Sequence, residues 1–180
     1  MKKLEKKWMS LMKKLNLNLS SFIIILFLIN FSLSADIKSL SGKPKVVDGD
    51  TININDEKIR FSGIDAPESF YRGKKQVCYL NEKEVFCGEL SKEKLKEKIG
   101  SNIISCKKEK NKDIYRRTLA ECFVNGESLS TFLVRTGYAF DFVRYSKEKY
   151  AKDEEYAKTN KLGIWNMKFE YPWEWRKKNK

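Results

Sequence analysis

The chain has 180 residues, and 37 Lys and Arg against 24 Asp and Glu give it a formal charge of +13. Its 41% hydrophobic and 34% charged residues, with 9 Gly and 3 Pro, suit one packed domain and exclude a collagen-like, disordered or polytopic membrane chain. It contains no histidine, which excludes a His-based triad, a His general base, a zincin helix and a His-Cys finger. Any catalysis must run on carboxylates, guanidiniums, hydroxyls, thiols or a bound metal.

Residues 1–35 read as a targeting segment. Lys2, Lys3, Lys6, Lys7, Lys13 and Lys14 precede the apolar run Phe22 to Ile29, and Ser32, Ser34 and Ala35 offer a cleavage site before Asp36. That is the order of a secretory signal. The alternative is an uncleaved membrane anchor, although the apolar run falls short of the ~20 residues a span needs. Residues 36–180 keep a formal +8, so the basic character belongs to the domain as well.

One domain is expected over residues 36–180, with a core at about 44–166 and a tail at 167–180. Val46 and Val47 lead into Asp48-Gly49-Asp50; Thr51 to Asn55 and Lys58 to Ser62 then alternate with period two about an Asp56-Glu57 turn. These are three short antiparallel strands. Residues 86–99 read as a helix with Phe86/Leu90 and Leu95/Ile99 at i,i+4, stopped by Gly100. Asn102 to Cys106 and Asp113 to Val124 read as two more strands about the polar turn Lys107–Lys112. Ser128 caps a helix carrying Leu129, Phe132 and Leu133 that ends at Gly137, and a charged helix follows over about 147–161. The expected fold is α+β, mainly β: a five-stranded OB-type barrel with three helices.

Export implies an oxidising compartment, where the even set Cys78, Cys87, Cys106 and Cys122 favours disulfides. Zinc is the competing reading, but no C-x-x-C pair is present. Three pairings are possible. Local order favours Cys78–Cys87 and Cys106–Cys122, the second joining two strands of a hairpin.

Three clusters could carry chemistry. Asp48-Gly49-Asp50-Thr51 is on its own a common hairpin signal. Arg60 lies on the strand face opposite Ile59 and Phe61, and Asp65 and Glu68 flank a Pro that fixes the backbone where the strand breaks. Asp113-Ile114-Tyr115-Arg116-Arg117 reads, alone, as a basic strand entrance. Taken together, Asp50 and Asp65 suit a hard, oxygen-seeking cation such as Ca²⁺, and Glu68 is a third carboxylate available as a base. Arg60 and Arg117 are permanently charged forks able to grip a phosphate. This is a phosphodiester site built without histidine.

Val47-Asp48-Gly49-Asp50-Thr51, Arg60 with Asp65-Ala66-Pro67-Glu68, Asp113-x-Tyr115-x-Arg117 and Leu162-Gly163-Ile164-Trp165 resemble the staphylococcal nuclease family in order and near-family spacing, over about residues 44–166. The resemblance implies the OB barrel with three helices and a Ca²⁺-dependent nuclease. It implies cleavage of DNA and RNA at the 5′ P–O bond, leaving 3′-phosphates. It also implies that Arg60, Glu68 and Arg117 are catalytic. Asp50, Asp65 and the backbone carbonyl of Ala66 would hold Ca²⁺, Asp48 would support them, and Tyr115 would contact a substrate phosphate. The four cysteines and the tail residues Phe169, Pro172, Trp175 and Arg176 resemble a disulfide-bearing, exported bacterial branch. Ala66 replaces a Thr, Ile114 replaces a Lys, and the Cys78/Cys87 segment replaces a lysine-rich substrate loop. A monomer, periplasmic or secreted, is expected. The alternatives are a non-catalytic, basic nucleic-acid-binding OB-like module and a basic adhesin for acidic glycans.

Overall fold

The computed structural model describes residues 39–180, together with residues 5–7 and 10. The expected signal segment otherwise lies outside the described residues. Among those residues no helix is long and apolar enough to cross a membrane.

The first strands are Ser39–Gly42 (β1), Lys45–Asp48 (β2), Thr51–Ile54 (β3) and Glu57–Phe61 (β4), the last two alternating apolar with polar residues. Ile52, Ile54, Ile59 and Phe61 point inward and are buried. Asn55 and Asp56 join β3 to β4 with positive φ at both positions, as a two-residue hairpin requires. The β2–β3 register slips between Val46 and Asp48, so Val47 is extra and Asp48 faces Thr51. Such a bulge re-aims a side chain at a strand end, and here it turns Asp48 toward the functional cluster.

Ile64–Asp65 (β5) follows at once, and the paired strands Val77–Leu80 (β6) and Lys83–Phe86 (β7) precede the helix Cys87–Ile99 (α1). The long strand Ile104–Lys112 (β8) turns at Asp113–Arg117 into Thr118–Val124 (β9), and Glu127–Ser128 (β10) folds back on β9. The remaining elements are Leu129–Arg135 (α2), Phe140–Asp141 (β11), Val143–Ser146 (α3), Ala151–Thr159 (α4), the 3₁₀ turn Gly163–Asn166 and Pro172–Lys178 (α5).

The main sheet runs β1-β8-β9-β4-β3-β2, with β10 beside β9. All pairings are antiparallel except β4 with β9, where Arg60 lies level with Leu119. The sheet curls until Gly42 of β1 meets Ile54 of β3, and a Cβ on Gly42 would sit 2.6 Å from the Ile54 methyl. Inside the curl, Ile52, Ile59, Phe61, Ile104, Ala120 and Val124 pack against Leu95 and Ile99 of α1 and Leu129 and Leu133 of α2. This is the OB-type α+β architecture, its five strands extended by β1 and by short pairs.

Several details differ from the sequence expectation. β8 continues through the polar stretch 107–112 because backbone pairing to β9 does not need apolar side chains, and the turn falls at Asp113 instead. In α1 the buried stripe is Cys87, Ser91, Leu95 and Ile99 rather than Phe86/Leu90, which stay exposed. The expected 147–161 helix is shorter, with Lys147 and Glu148 at positive φ separating α3 from α4.

Both disulfides, Cys78–Cys87 and Cys106–Cys122, are formed, and no cysteine is free among the described residues. Cys106 and Cys122 are direct cross-strand partners in the core. Cys78–Cys87 ties β6 to the start of α1, under a second apolar cluster of Phe140, Ile164, Trp165, Met167, Phe169, Tyr171 and Trp173. Two buried disulfides fit an oxidising compartment. Replacing Cys106 and Cys122 together by Ala is expected to lower unfolding stability by about 3 kcal/mol, as loop-entropy arithmetic gives for a loop of this size. Urea unfolding of parent and double variant checks this.

Candidate active site

The ends of β3, β4 and β5 meet at one rim of the barrel, and each brings a charged side chain. Arg60 leaves β4 on the face opposite Ile59 and Phe61 and reaches two carboxylates. Its Nη1 lies 2.6 Å from Asp50 Oδ2, and its Nη2 donates to Asp65 Oδ1 at 2.7 Å. The first contact is an ion pair without hydrogen-bond alignment, so a buried guanidinium N–H is left without an acceptor. Asp50 is further fixed by the Thr51 hydroxyl, which donates to Oδ1 at 3.0 Å, and by the Ala66 N–H, which donates to Oδ2 at 2.7 Å. Asp65 is fully buried. The β3 and β5 strand ends are thereby bound to each other through one carboxylate.

Glu68 directly follows Pro67. Its N–H donates to Gln76 Oε1 at 3.1 Å, and its carbonyl accepts from the Gln76 N–H at 3.1 Å. Gly88 of α1 packs directly on this backbone: a Cβ there would come within 2.1 Å of the Glu68 carbonyl. Any side chain at 88 would push Glu68 out of place. Asp48 sits behind the cluster, accepting the Gly49 N–H at 2.8 Å and the Ser69 N–H at 3.2 Å.

Arg117 approaches from the β8–β9 turn. Asp113 organises that turn: its Oδ1 accepts the Tyr115 and Arg117 N–H groups at 2.9 and 2.8 Å, and its Oδ2 accepts Arg117 Nε at 2.6 Å. Arg117 Nη1 comes within 3.5 Å of Thr51 Oγ1, the hydroxyl that serves Asp50. Arg117 thus lies at the margin of the cluster, joined to it through Thr51. Tyr115 stays 68% exposed, with the Arg117 guanidinium 5.4 Å from its ring centre. Apart from its backbone N–H bond to Asp113, it makes no hydrogen bond to the carboxylates among the described residues.

Of the residues singled out from the sequence, the structure brings together Asp48, Asp50, Arg60, Asp65, Ala66 and Glu68, with Arg117 beside them and Tyr115 on the rim. Sequence reasoning gave no role to Arg176. Its Nη2 donates to Asp65 Oδ2 at 2.7 Å, and its Nη1 donates to Glu68 Oε1 at 2.6 Å and Asp65 Oδ1 at 3.1 Å. Gln76 was missed as well, and Thr51, named in the first cluster, was given no role of its own. A neutral residue that works by hydrogen bonding leaves no charge pattern to find, whereas Arg176 had one signal, an arginine directly after two spaced tryptophans.

The staphylococcal nuclease homologue family matches residues 58–167. The chain is 32% identical over 133 residues to a succinoglycan biosynthesis protein of Rhizobium meliloti, covering 72% of this chain and 66% of that one. It is 32% identical over 124 residues to a staphylococcal-like nuclease of Arabidopsis thaliana, covering 67% and 33%. An uncharacterized endonuclease of Haemophilus influenzae is 28% identical over 144 residues, covering 76% and 72%. The family model covers more than half of the chain, and the chain belongs to this family. The chain spans just under two thirds of the first of these relatives and about a third of the second.

The charge balance of the cluster is uneven. Asp48, Asp50, Asp65 and Glu68 face two guanidiniums, Arg60 and Arg176, while Arg117 is engaged with Asp113. Burial, followed by repulsion from Asp50 and Asp48, pushes the Glu68 carboxyl up to about 7 against the opposing pull of Arg176. Burial and Asp50 push Asp48 up to about 6. Asp65 is also raised by burial, with Arg60 and Arg176 opposing. For Asp113, burial is outweighed by the hydrogen bonds from Arg117, and its carboxyl falls below the ordinary value.

A raised carboxyl holds its proton in the folded chain after the unfolded chain has released it. Without metal, Glu68 therefore costs stability progressively as pH rises from about 4.5 to about 7, and the cost persists above that. In chelator, Glu68→Gln is expected to equal the parent at pH 4 and exceed it by about 1–3 kcal/mol at pH 8. Urea unfolding at the two pH values checks the sign.

Proposed function

We infer that the chain is an exported, Ca²⁺-dependent nuclease that hydrolyses phosphodiester bonds of DNA and RNA at the 5′ P–O bond, leaving 3′-phosphate ends. One observation carries this reading. Asp50 from the start of β3 and Asp65 and Glu68 from the segment after β4 converge on guanidinium forks at one rim of the barrel, in a chain of this family.

The cluster suits a hard cation in kind. Asp50 and Asp65 lie close enough to share one guanidinium, every available ligand atom is oxygen, and negative charge is in excess. Among the described residues, no three His, Cys, Asp or Glu side chains form a ready metal-binding group. The donor set offered is therefore two carboxylates, the Ala66 carbonyl and water. Ca²⁺ held there would withdraw charge from phosphorus through a non-bridging oxygen.

The chain's own residues then account for the chemistry. Glu68, with a carboxyl poised near neutrality, accepts a proton from a water whose oxygen forms the new bond to phosphorus. The bond from phosphorus to the 5′ oxygen breaks, and that oxygen leaves with a proton from solvent. Arg60 stands beside the proposed cation ligands Asp50 and Asp65, and Arg117 can turn from Asp113 toward a phosphate held there. Both stabilise the charge that grows on the equatorial oxygens and the leaving group. The +8 carried by residues 36–180 favours a polyphosphate substrate through counterion release. Residues 1–35 are read as the export signal, which agrees with an oxidising compartment for the two disulfides.

Purified protein is expected to digest plasmid DNA and RNA with Ca²⁺ and to stop with EDTA. Arg117→Ala should lower kcat by about 10²–10³-fold and Glu68→Gln by about 10²–10⁴-fold. Binding without any cleavage in Ca²⁺ would support the non-catalytic module instead.

A further inference from the structure

We propose that Arg176, delivered by the tail helix α5, is a positioning residue of this site: it holds the Glu68 carboxylate against Asp65 and sets how strongly the acidic cluster takes a divalent cation. The inference rests on the nuclease reading above and adds to it a residue from outside the barrel.

The contact is built into the fold. Arg176 follows Pro172 and Trp173 by four and three residues, so it shares their inward face of α5. Trp173 stacks on Phe142 with ring centres 5.2 Å apart and on Tyr171 at 4.6 Å. Lys168 and Tyr79 exchange backbone hydrogen bonds at 2.9 Å, which ties the tail to β6. The Cys78–Cys87 disulfide lies in the same apolar cluster. Gln76 closes the connection. It is fully buried, its Nε2 donates to the Glu170 carbonyl at 2.7 Å, and its Oε1 accepts the Glu68 N–H. One amide thus fixes the tail and the base-bearing loop relative to each other.

An exposed arginine pairing with an exposed carboxylate contributes little and is easily exchanged. Arg176 differs in three respects. Its side chain is 24% exposed, Asp65 is fully buried, and its fork bridges two carboxylates that have separate tasks in the proposed reaction. The bridge leaves Glu68 Oε2 without a partner among the described residues, while Oε1 is held by Arg176. A base aimed by one oxygen can work with the other. The same positive charge, in contact with Asp65, opposes a cation on that carboxylate.

The two effects have opposite signs in a variant, and a merely structural role does not reproduce that pattern. In Arg176→Ala, kcat is expected to fall about 10- to 100-fold with KM changed less than about threefold, because Glu68 is no longer aimed. Calorimetric titration with Ca²⁺ should show the Kd falling about 3- to 10-fold, because a repelling charge has left. Arg176→Lys restores the charge but not the fork, so its Ca²⁺ affinity should return near the parent's while kcat recovers only in part. A parent-like kcat in Arg176→Ala would overturn the positioning role. Weakened Ca²⁺ binding together with lower kcat and a lower Tm would reduce Arg176 to support of the fold and overturn the proposal. A parent chain that cleaves neither DNA nor RNA would overturn the nuclease reading and the aiming of Glu68 with it, and the calorimetric comparison would still decide the effect on cation affinity.

Discussion

Four carboxylates gathered in one largely buried cluster are the constraint on which the rest depends. Asp48, Asp50, Asp65 and Glu68 repel one another where water cannot screen them, and the chain answers with charge-assisted bonds rather than by spreading them apart. Arg60 clamps the β3 and β5 ends, Arg176 clamps β5 to the Glu68 loop, and backbone N–H groups of Gly49, Ala66 and Ser69 take up further oxygens. Even so, two negative charges remain in formal excess. A cluster of this kind is costly for stability and well suited to a cation and a phosphate, which is how structure and proposed function meet.

The barrel supplies the precision. Arg60 is held level with Leu119 by the parallel β4–β9 pairing, and the bulge at Val47 turns Asp48 inward. Gly88 lets α1 lie on the Glu68 backbone with no room for a side chain. Outside the barrel, the second apolar cluster has one evident consequence for the site: it seats α5 so that Arg176 reaches Asp65 and Glu68. The Cys78–Cys87 segment, where the family resemblance leads one to expect a lysine-rich loop, belongs to that cluster.

Much of this was legible in the sequence because local rules and the final fold agree. The period-two runs at Thr51 and Lys58 and the Ser128 cap became what their patterns imply, with Ser128 Oγ accepting the Thr131 N–H. Asp50, Arg60, Asp65 and Glu68 stood out in combination, since Asp48-Gly49-Asp50 alone is a common hairpin signal. Other parts were hidden for physical reasons. The polar stretch 107–112 stays in β8 through backbone pairing, which side-chain patterns do not report. The β6–β7 hairpin draws its order from the disulfide and the tail, and α5 is a seven-residue helix fixed by aromatic packing rather than by propensity. Arg176 is one basic residue among several at the end of the chain, and only its distant partners reveal it.

The most direct test of the central claim is the number of protons released when Ca²⁺ binds, measured calorimetrically at pH 6.5 in two buffers of different ionisation enthalpy. Because Glu68 and Asp48 hold protons near neutrality in the metal-free chain, cation binding should release about one proton, and less in Glu68→Gln. Saturable Ca²⁺ binding with no proton release, or no binding at all, would contradict a buried acidic cluster suited to a divalent cation.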